Sequence, residues 1–306
     1  MEELTRTYPD SFEIEGGFML RSPAKVNLLL RILGKRADGY HELETVFQEL
    51  DWYDELEFRD DDSFTLEVQG ADLPSGESNL VVKAARLLSK AAGVGCRGRL
   101  VLKKNLPVQG GVGGGSSNAA IALLGLNRLW RLNWPVSRLD SLAKELGADC
   151  PFFLYGGLAR ATGRGDVIEP LKGRSEGMFV LVCPPFGVET AWAFSQVRVP
   201  LTEVEKNVIF SPLWSSGRGE SHPVDFLSND LENIVFQRHE GLIGLRDSLL
   251  EAGAVASLLS GSGSTVFGIF ESHEQADAAK RKLETELDLR ITVCRAVARS
   301  RNESPR

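Results

Sequence analysis

The chain has 306 residues, 42% of them hydrophobic and 25% charged, with a formal net charge of −7 and a pI near 5.3. That length suits two domains, each with a core of its own, and the balance excludes an intrinsically disordered chain. The negative charge excludes a protein that coats nucleic acid, which needs a basic face against the phosphates, but not a small anionic ligand held by a few local cations.

The opening MEELTRTYPDSFEIEGG is acidic and lacks an apolar segment, unlike a secretory signal or a transit peptide. No window approaches the roughly 18 apolar residues of a membrane span, so a cytoplasmic protein is expected. Residues 18–33 read as strand, interrupted by Pro23, with Lys25 and Asn27 two apart and therefore on one face. Residues 38–41, DGYH, form a turn, strand character resumes over 43–50, and the acidic stretch 51–62 reads as solvated strand and turn. Residues 79–92 carry apolar positions Val81, Ala84, Ala85, Leu88 and Ala92 at helical spacing, with Gly93 where the helix would stop.

A short strand at 100–103 leads into a glycine run. A helix over 116–131 follows, with Ala119, Leu123, Leu126 and Trp130 on one stripe and Ser116 or Ser117 as its cap. Another helix is expected over 136–146, ending at Gly147. Beyond residue 152 the texture turns Gly-rich, which places a domain boundary near 160, giving units 1–160 and 161–306. The second half alternates strands (178–183, 256–259, 265–270, 291–298) with helices (230–240, 241–251, 273–287), an order that suits an α+β sandwich. Residues 211–225 read as a surface loop. Cys96, Cys150, Cys183 and Cys294 form no CxxC pair and are expected to be reduced and mostly buried.

The sharpest feature is PVQGGVGGGSSNAA at 107–120, set between a strand and a helix. Glycines let the backbone take positive φ and approach a ligand closely, and the free amides of the following helix favour an anion. Pro107, Val108, Gln109, Gly110, Gly111, Val112, Gly113, Gly114, Gly115, Ser116, Ser117 and Asn118 are thus candidates for a phosphate cradle. No Lys follows the last glycine, as a Walker A loop requires, and the GxGxxG spacing of the dinucleotide fold is absent. A flexible linker would continue polar and aperiodic; here an amphipathic helix starts at once.

This segment resembles the second signature of the GHMP kinases, and LSGSGSTVF at 259–267 resembles their third. SPAKVNLLLRILGKRADGYHELETVFQELDWYDEL at 22–56 and GADCPFFLYGG at 147–157 are similar to the branch of that family whose acceptor is a cytidine diphosphate conjugate of methylerythritol. The resemblance implies an α+β, two-domain fold, with an N-terminal domain like ribosomal protein S5 domain 2 and a ferredoxin-like C-terminal domain. It also implies ATP and Mg²⁺, a small-molecule acceptor phosphorylated on its 2-hydroxyl in isoprenoid precursor synthesis, no nucleic acid or membrane partner, and a monomer or weak homodimer.

Carried over position by position, Lys25 and Asp149 match the catalytic pair. Asn79, Lys104 and Asn118 match the adenosine site, and Ser116 or Ser117 is a candidate Mg²⁺ contact. Tyr40 and Phe194 match an aromatic pair around cytosine, His41 a partner for its edge, and Asn27 and Phe47 the same pocket. Lys103 and Lys104 face opposite ways in a strand, and Lys104 is taken as the inward one by its distance from Pro107. On their own, an Asp before Cys-Pro-Phe-Phe reads as a turn or cap and a Lys in an apolar strand as a snorkelling residue; the matched blocks reverse both readings. Val112 stands where the family has Leu or Met, and Gln109-Gly110-Gly111 varies the loop, without touching a reactive group. The rivals are a GHMP kinase for homoserine or a mevalonate derivative, against which DGYH speaks, and a silent nucleotide sensor, against which Lys25 and Asp149 speak. An RNA-binding reading rests on fold analogy alone.

Overall fold

The computed structural model describes residues 11–171, 173, 177–198 and 227–298. Residues 1–10 and the surface loop expected at 211–225 lie outside them.

The first half is organised by two 19-residue strands, β2 (Gly17–Lys35) and β3 (His41–Arg59), joined by the expected turn and paired antiparallel along their length. The ladder shifts register at Pro23/Ala24, Asn27/Leu29 and Ile32/Gly34. Pro23 has no N–H to give a ladder, so the strand passes through it as a bulge rather than ending there. The part of the acidic leader within the described residues forms β1 (Ser11–Ile14), a hairpin partner of β2.

β3 serves two neighbours in turn. Leu43–Gln48 pairs with β6 (Leu158–Gly163) and Glu55–Arg59 pairs with β5 (Gly98–Lys103). β5 in turn lies parallel to β4 (Phe64–Gln69), the two linked through helix α1 (Leu80–Ala92), which ends at Gly93 in the left-handed region as expected. Helices α1, α2 (Gly114–Leu129), α3 (Val136–Leu146) and α4 (Cys150–Tyr155) share one core with this sheet. α2 is buried continuously from Ser117 to Asn127, wider than the stripe read from the sequence, because it is the central helix of that layer. At Gly125 a Cβ would lie 2.1 Å from Phe58 Cζ, so helix and sheet touch there with no room for a side chain.

Strand β7 (Val167–Pro170) pairs with β6 and so still belongs to the first sheet, and the second sheet begins only at β8 (Met178–Cys183). The boundary expected near 160 therefore falls inside β6, because that hairpin returns to β3, a pairing that local composition does not report. The second lobe runs β8, α5 (Thr190–Ser195), β9 (Ser228–Asn229, which joins β2 of the first sheet), α6 (Glu232–Arg238), α7 (Gly241–Glu251), β10 (Ala256–Leu259), β11 (Val266–Phe270), α8 (His273–Glu286) and β12 (Arg290–Arg295). Its sheet order β10-β11-β8-β12, antiparallel throughout, is the β-α-β-β-α-β order of a ferredoxin-like domain.

β8 is buried on both faces. Met178, Val180 and Val182 pack on the helices, while Phe179, Leu181 and Cys183 face a third core with Ala24, Val26, Leu50, Leu106, Val112 and Phe267. That shared apolar layer fixes one lobe against the other. Cys96 is half-buried and the other three cysteines are buried and unpaired with one another; burial pushes the Cys150 thiol up to about 12.

Candidate active site

Over the shared core lies a cleft of about 1040 Å³ lined from both lobes. Its floor is the glycine run. Gly113 takes φ of 74° and caps α2 by its backbone alone, without a side-chain bond. The serine cap expected at Ser116 or Ser117 is thus replaced, since a left-handed N-cap starts the helix two residues earlier. The two serines then fall inside the first turn and part company. Ser116 faces the cleft, while Ser117 is fully buried and accepts a hydrogen bond from Ser22 Oγ at 2.8 Å. Val112 is likewise fully buried in the inter-lobe core. Neither Ser117 nor Val112 lines the cleft, which corrects the expectation that the whole run 107–118 does; Pro107–Gly111, Gly113–Ser116 and Asn118 do.

The second glycine turn, 260–265, closes on the first. Ser260 Oγ donates to Gly111 O at 3.0 Å, and Thr265 N donates to Gly110 O at 3.1 Å. A Cβ at Gly111 would lie 2.0 Å from Ser260 O, so only glycine permits that approach. Asn229 braces this turn by donating to Leu259 O and Gly261 O at 2.9 and 2.7 Å, and the Thr190 and Ser262 hydroxyls meet at 2.9 Å.

Lys25 stands where the two turns meet. Its Nζ lies 3.2 Å from Asp149 Oδ2, with the lysine side chain 4% exposed and the aspartate 35%. It also donates to Asn27 Oδ1 at 2.6 Å and sits 4.9 Å above the Phe47 ring. Asn27 is oriented in turn: its Nδ2 donates to Thr45 Oγ1 at 2.8 Å, and Thr45 Oγ1 donates to Leu29 O at 2.6 Å. Between two register shifts Lys25, Val26 and Asn27 pair regularly with Glu49, Gln48 and Phe47, so Lys25 and Asn27 project from the same face of the strand. Asp149 opens α4 but makes no side-chain capping bond, so its carboxylate is left for Lys25 and for the cleft.

At one end of the cleft are Leu73, Pro74, Asn79, Leu80, Leu102 and Lys104. Lys104 is the inward lysine; Lys103 instead pairs with Glu57 at 2.6 Å on the outer face. Lys104 is not a free cation, however. It is ion-paired with Asp54, which is fully buried and also accepts from Asn118 Nδ2 (2.9 Å), Asn105 N (2.6 Å) and Leu106 N (2.7 Å). Leaving such a charge unpaired costs about 3–5 kcal/mol, so Asp54 ties Lys104 and Asn118 to the entry of the glycine run. Asn79 caps α1, accepting from Val81 N and donating to Pro74 O, so its amide is spent on the chain that frames this end.

At the other end are Lys35, Tyr40, His41, Phe194 and Arg164. Phe194 stacks on His41, ring centroids 5.6 Å apart, rather than facing Tyr40, which is 55% exposed. Burial, and then the Lys35 charge, hold the His41 imidazolium below its usual pKa.

Comparisons with known proteins identify the family and the fold. The chain matches the models for the GHMP kinases N terminal domain over residues 79–157 and the GHMP kinases C terminal domain over 219–289. It is 42% identical over 270 residues to 4-diphosphocytidyl-2-C-methyl-D-erythritol kinase of Pelodictyon phaeoclathratiforme, covering 87% of this chain and 93% of that one. The chain belongs to the GHMP kinase family, with the 4-diphosphocytidyl-2-C-methyl-D-erythritol kinases. The Chlorobium chlorochromatii kinase of that name is 40% identical over 277 residues, 90% of this chain and 96% of its own. A crystal structure of 4-(cytidine 5′-diphospho)-2C-methyl-D-erythritol kinase superposes with a TM-score of 0.74 at 35% identity, covering 90% of this chain and 98% of that one. Homoserine kinase from Cytophaga hutchinsonii, at 17% identity and a TM-score of 0.70 over 94% of this chain and 97% of that one, shares the fold. Kinases of this GHMP family use ATP as phosphate donor.

Two buried residues that brace the cleft wall escaped the sequence reading. Asp54 was taken as solvated, although it is in phase with Trp52, Leu56 and Phe58, all buried; that alternation was the available signal. Asn229 gave none, since it acts from a two-residue strand 30 residues from its partner.

Proposed function

We propose that this GHMP kinase transfers the γ-phosphate of ATP to the 2-hydroxyl of 4-diphosphocytidyl-2-C-methyl-D-erythritol. The observation that carries the reading is the Lys25–Asp149 pair at 3.2 Å, set against the meeting point of two glycine turns in a cleft with aromatic residues at one end. Phosphoryl transfer asks the protein for position and charge more than for covalent chemistry. The amides of 110–115 and the start of α2 cradle the phosphates. Asp149 takes the proton of the attacking hydroxyl, and Lys25 orients that carboxylate and neutralises charge on the transferred oxygens. Asn27, fixed by Thr45, keeps the lysine ammonium on this line.

At the acceptor end Tyr40 and Phe194 stack on the cytosine and His41 bonds its edge. This needs the base to part or flank the His41–Phe194 stack. At the donor end Leu80, Leu102 and Pro74 receive the adenine, with Asn79 and Lys104 framing it. Phe47 supports Lys25 from beneath.

Among the described residues no cluster of three or more His, Cys, Asp or Glu could cage a metal. Mg²⁺ keeps several waters and is held mainly by substrate phosphates; the Ser116 hydroxyl, facing the cleft, is the residue that would contact it, directly or through a water, and the ion would supply neutralisation of phosphate charge. No helix among the described residues is long and apolar enough to cross a membrane, and the proposal places the reaction in the cytoplasm, where its donor ATP is available. The test is ADP release with this acceptor, homoserine and mevalonate offered separately. Turnover with the cytidine conjugate alone supports the reading, and preferential turnover of either other acceptor overturns it.

A further inference from the structure

The turn between β6 and β7 carries Arg164 to the acceptor end of the cleft. The register does this: Leu43 pairs with Gly163, so the turn that follows lies beside the start of β3, next to Tyr40 and His41. The guanidinium is anchored on three sides. Asp166 Oδ2 accepts from Nε at 3.1 Å and from Nη2 at 2.8 Å. Lys144 O, in the last turn of α3, accepts from Nη2 at 3.3 Å, a place where a cation also meets the negative end of the helix dipole. The third side is the Tyr40 ring, whose centroid lies 4.9 Å from Cζ, within the range of a cation–π contact. Asp166 raises the guanidinium pKa further, so the charge is permanent.

Tyr40 needs such a partner. It is more than half exposed, and the turn holds its backbone rather than its ring: Tyr40 N donates to Asp38 Oδ1 at 3.1 Å, and Arg36 N donates to Tyr40 O at 2.8 Å. A free exposed tyrosine would lose rotamer freedom on stacking, and that loss subtracts from affinity.

We infer that Arg164 is a positioning residue for the acceptor, backing the Tyr40 ring so that it stands as a preformed stacking platform for the acceptor's pyrimidine. This rests on the reading in which Tyr40 stacks on the base. Arg164 acts through Tyr40 and takes no part in phosphoryl transfer.

The test is a double-mutant cycle on full-length protein, with acceptor KM, ATP KM and kcat measured for Arg164→Met, Tyr40→Ala and the pair. Arg164→Met is expected to raise acceptor KM about three- to tenfold, the range of a partly exposed cation–π contact, with ATP KM and kcat at saturation within about twofold. In the Tyr40→Ala background the same change should matter by less than about twofold, because the partner is gone. Arg164→Lys, which keeps the charge and loses the planar fork, should fall between wild type and Arg164→Met and covers the case in which methionine unfolds the turn, judged by thermal melting. An equal rise in acceptor KM with and without Tyr40 means Arg164 touches the acceptor itself and overturns the inference. So does an unchanged acceptor KM in folded Arg164→Met while Tyr40→Ala is impaired, which leaves base stacking intact. If Tyr40→Ala itself leaves acceptor KM unchanged, the stacking reading fails and the inference with it.

Discussion

Gly115→Ala separates what the glycine run does for the fold from what it does for the ligand. Most glycines in the run cannot carry a Cβ: at Gly113, with φ of 74°, it would meet Phe153 Cζ at 2.7 Å and Lys25 Cγ at 3.0 Å, so substitution there displaces Lys25 as well as filling the turn. Gly115 is different. Its backbone is helical, it is exposed to the cleft, and a Cβ would meet only Leu80 Cδ1 at 3.6 Å, an ordinary contact. Alanine at a helical position is worth about 0.5–1 kcal/mol over glycine, so the variant should unfold at higher urea. The same methyl stands in the approach of the phosphates to the first turn of α2. Losing one charge-assisted hydrogen bond there costs about 1.5–3 kcal/mol, or roughly 10–150-fold in ATP affinity. Urea unfolding and ATP titration on one sample read both effects. A folded Gly115→Ala protein that binds ATP as wild type does refutes the placement of phosphate on this turn.

Gly125→Ala should do the reverse, lowering stability by about 1–3 kcal/mol through overpacking against the Phe58 ring, with urea midpoint as the readout and ATP affinity in the folded fraction unchanged. His41 should make acceptor binding depend on pH. Its folded pKa is depressed by burial and then by Lys35, so on acidification it takes up its proton later than a free imidazole with its ordinary value of about 6.5. The unfolded state then takes up the proton first, and stability is full above that value and lost as pH falls through the window below it. Protonation also changes what His41 can offer the acceptor's edge, so acceptor KM should rise on acidification with its inflection below about 6.5, and that inflection should be absent in His41→Gln; an inflection above the ordinary value would contradict the direction of the shift.

Much of the fold could be read because its periodicities are local. β8 and β10 are short apolar runs bounded by turn residues, α7 and α3 are helical stripes, and Gly93 and Gly147 stop their helices where expected. Alternation also separated Lys104 from Lys103. What escaped was non-local. The β6–β7 hairpin returns to β3 more than 100 residues earlier in the chain, and the glycine run closes on a turn 149 residues away, where Ser260 Oγ donates to Gly111 O. α5 has six residues and no side-chain cap, too little for a periodic signal. Within the site, Lys25 and Asp149 come together as the motifs implied, but composition hid Asp54, because an acidic stretch ordinarily marks solvent.

The central claim is that Asp149 is the base that Lys25 holds in place, and Asp149→Asn tests it most directly. Asparagine keeps the size and much of the hydrogen bonding of aspartate but cannot take up the proton as the hydroxyl attacks. Single-turnover kinetics with saturating ATP and acceptor should show the chemical step slowed by about 10²–10⁴-fold, with both substrate affinities nearly intact. Retention within about threefold of the wild-type chemical rate would contradict the account, leaving Asp149 a positioning residue and the transfer dependent on approximation and charge alone.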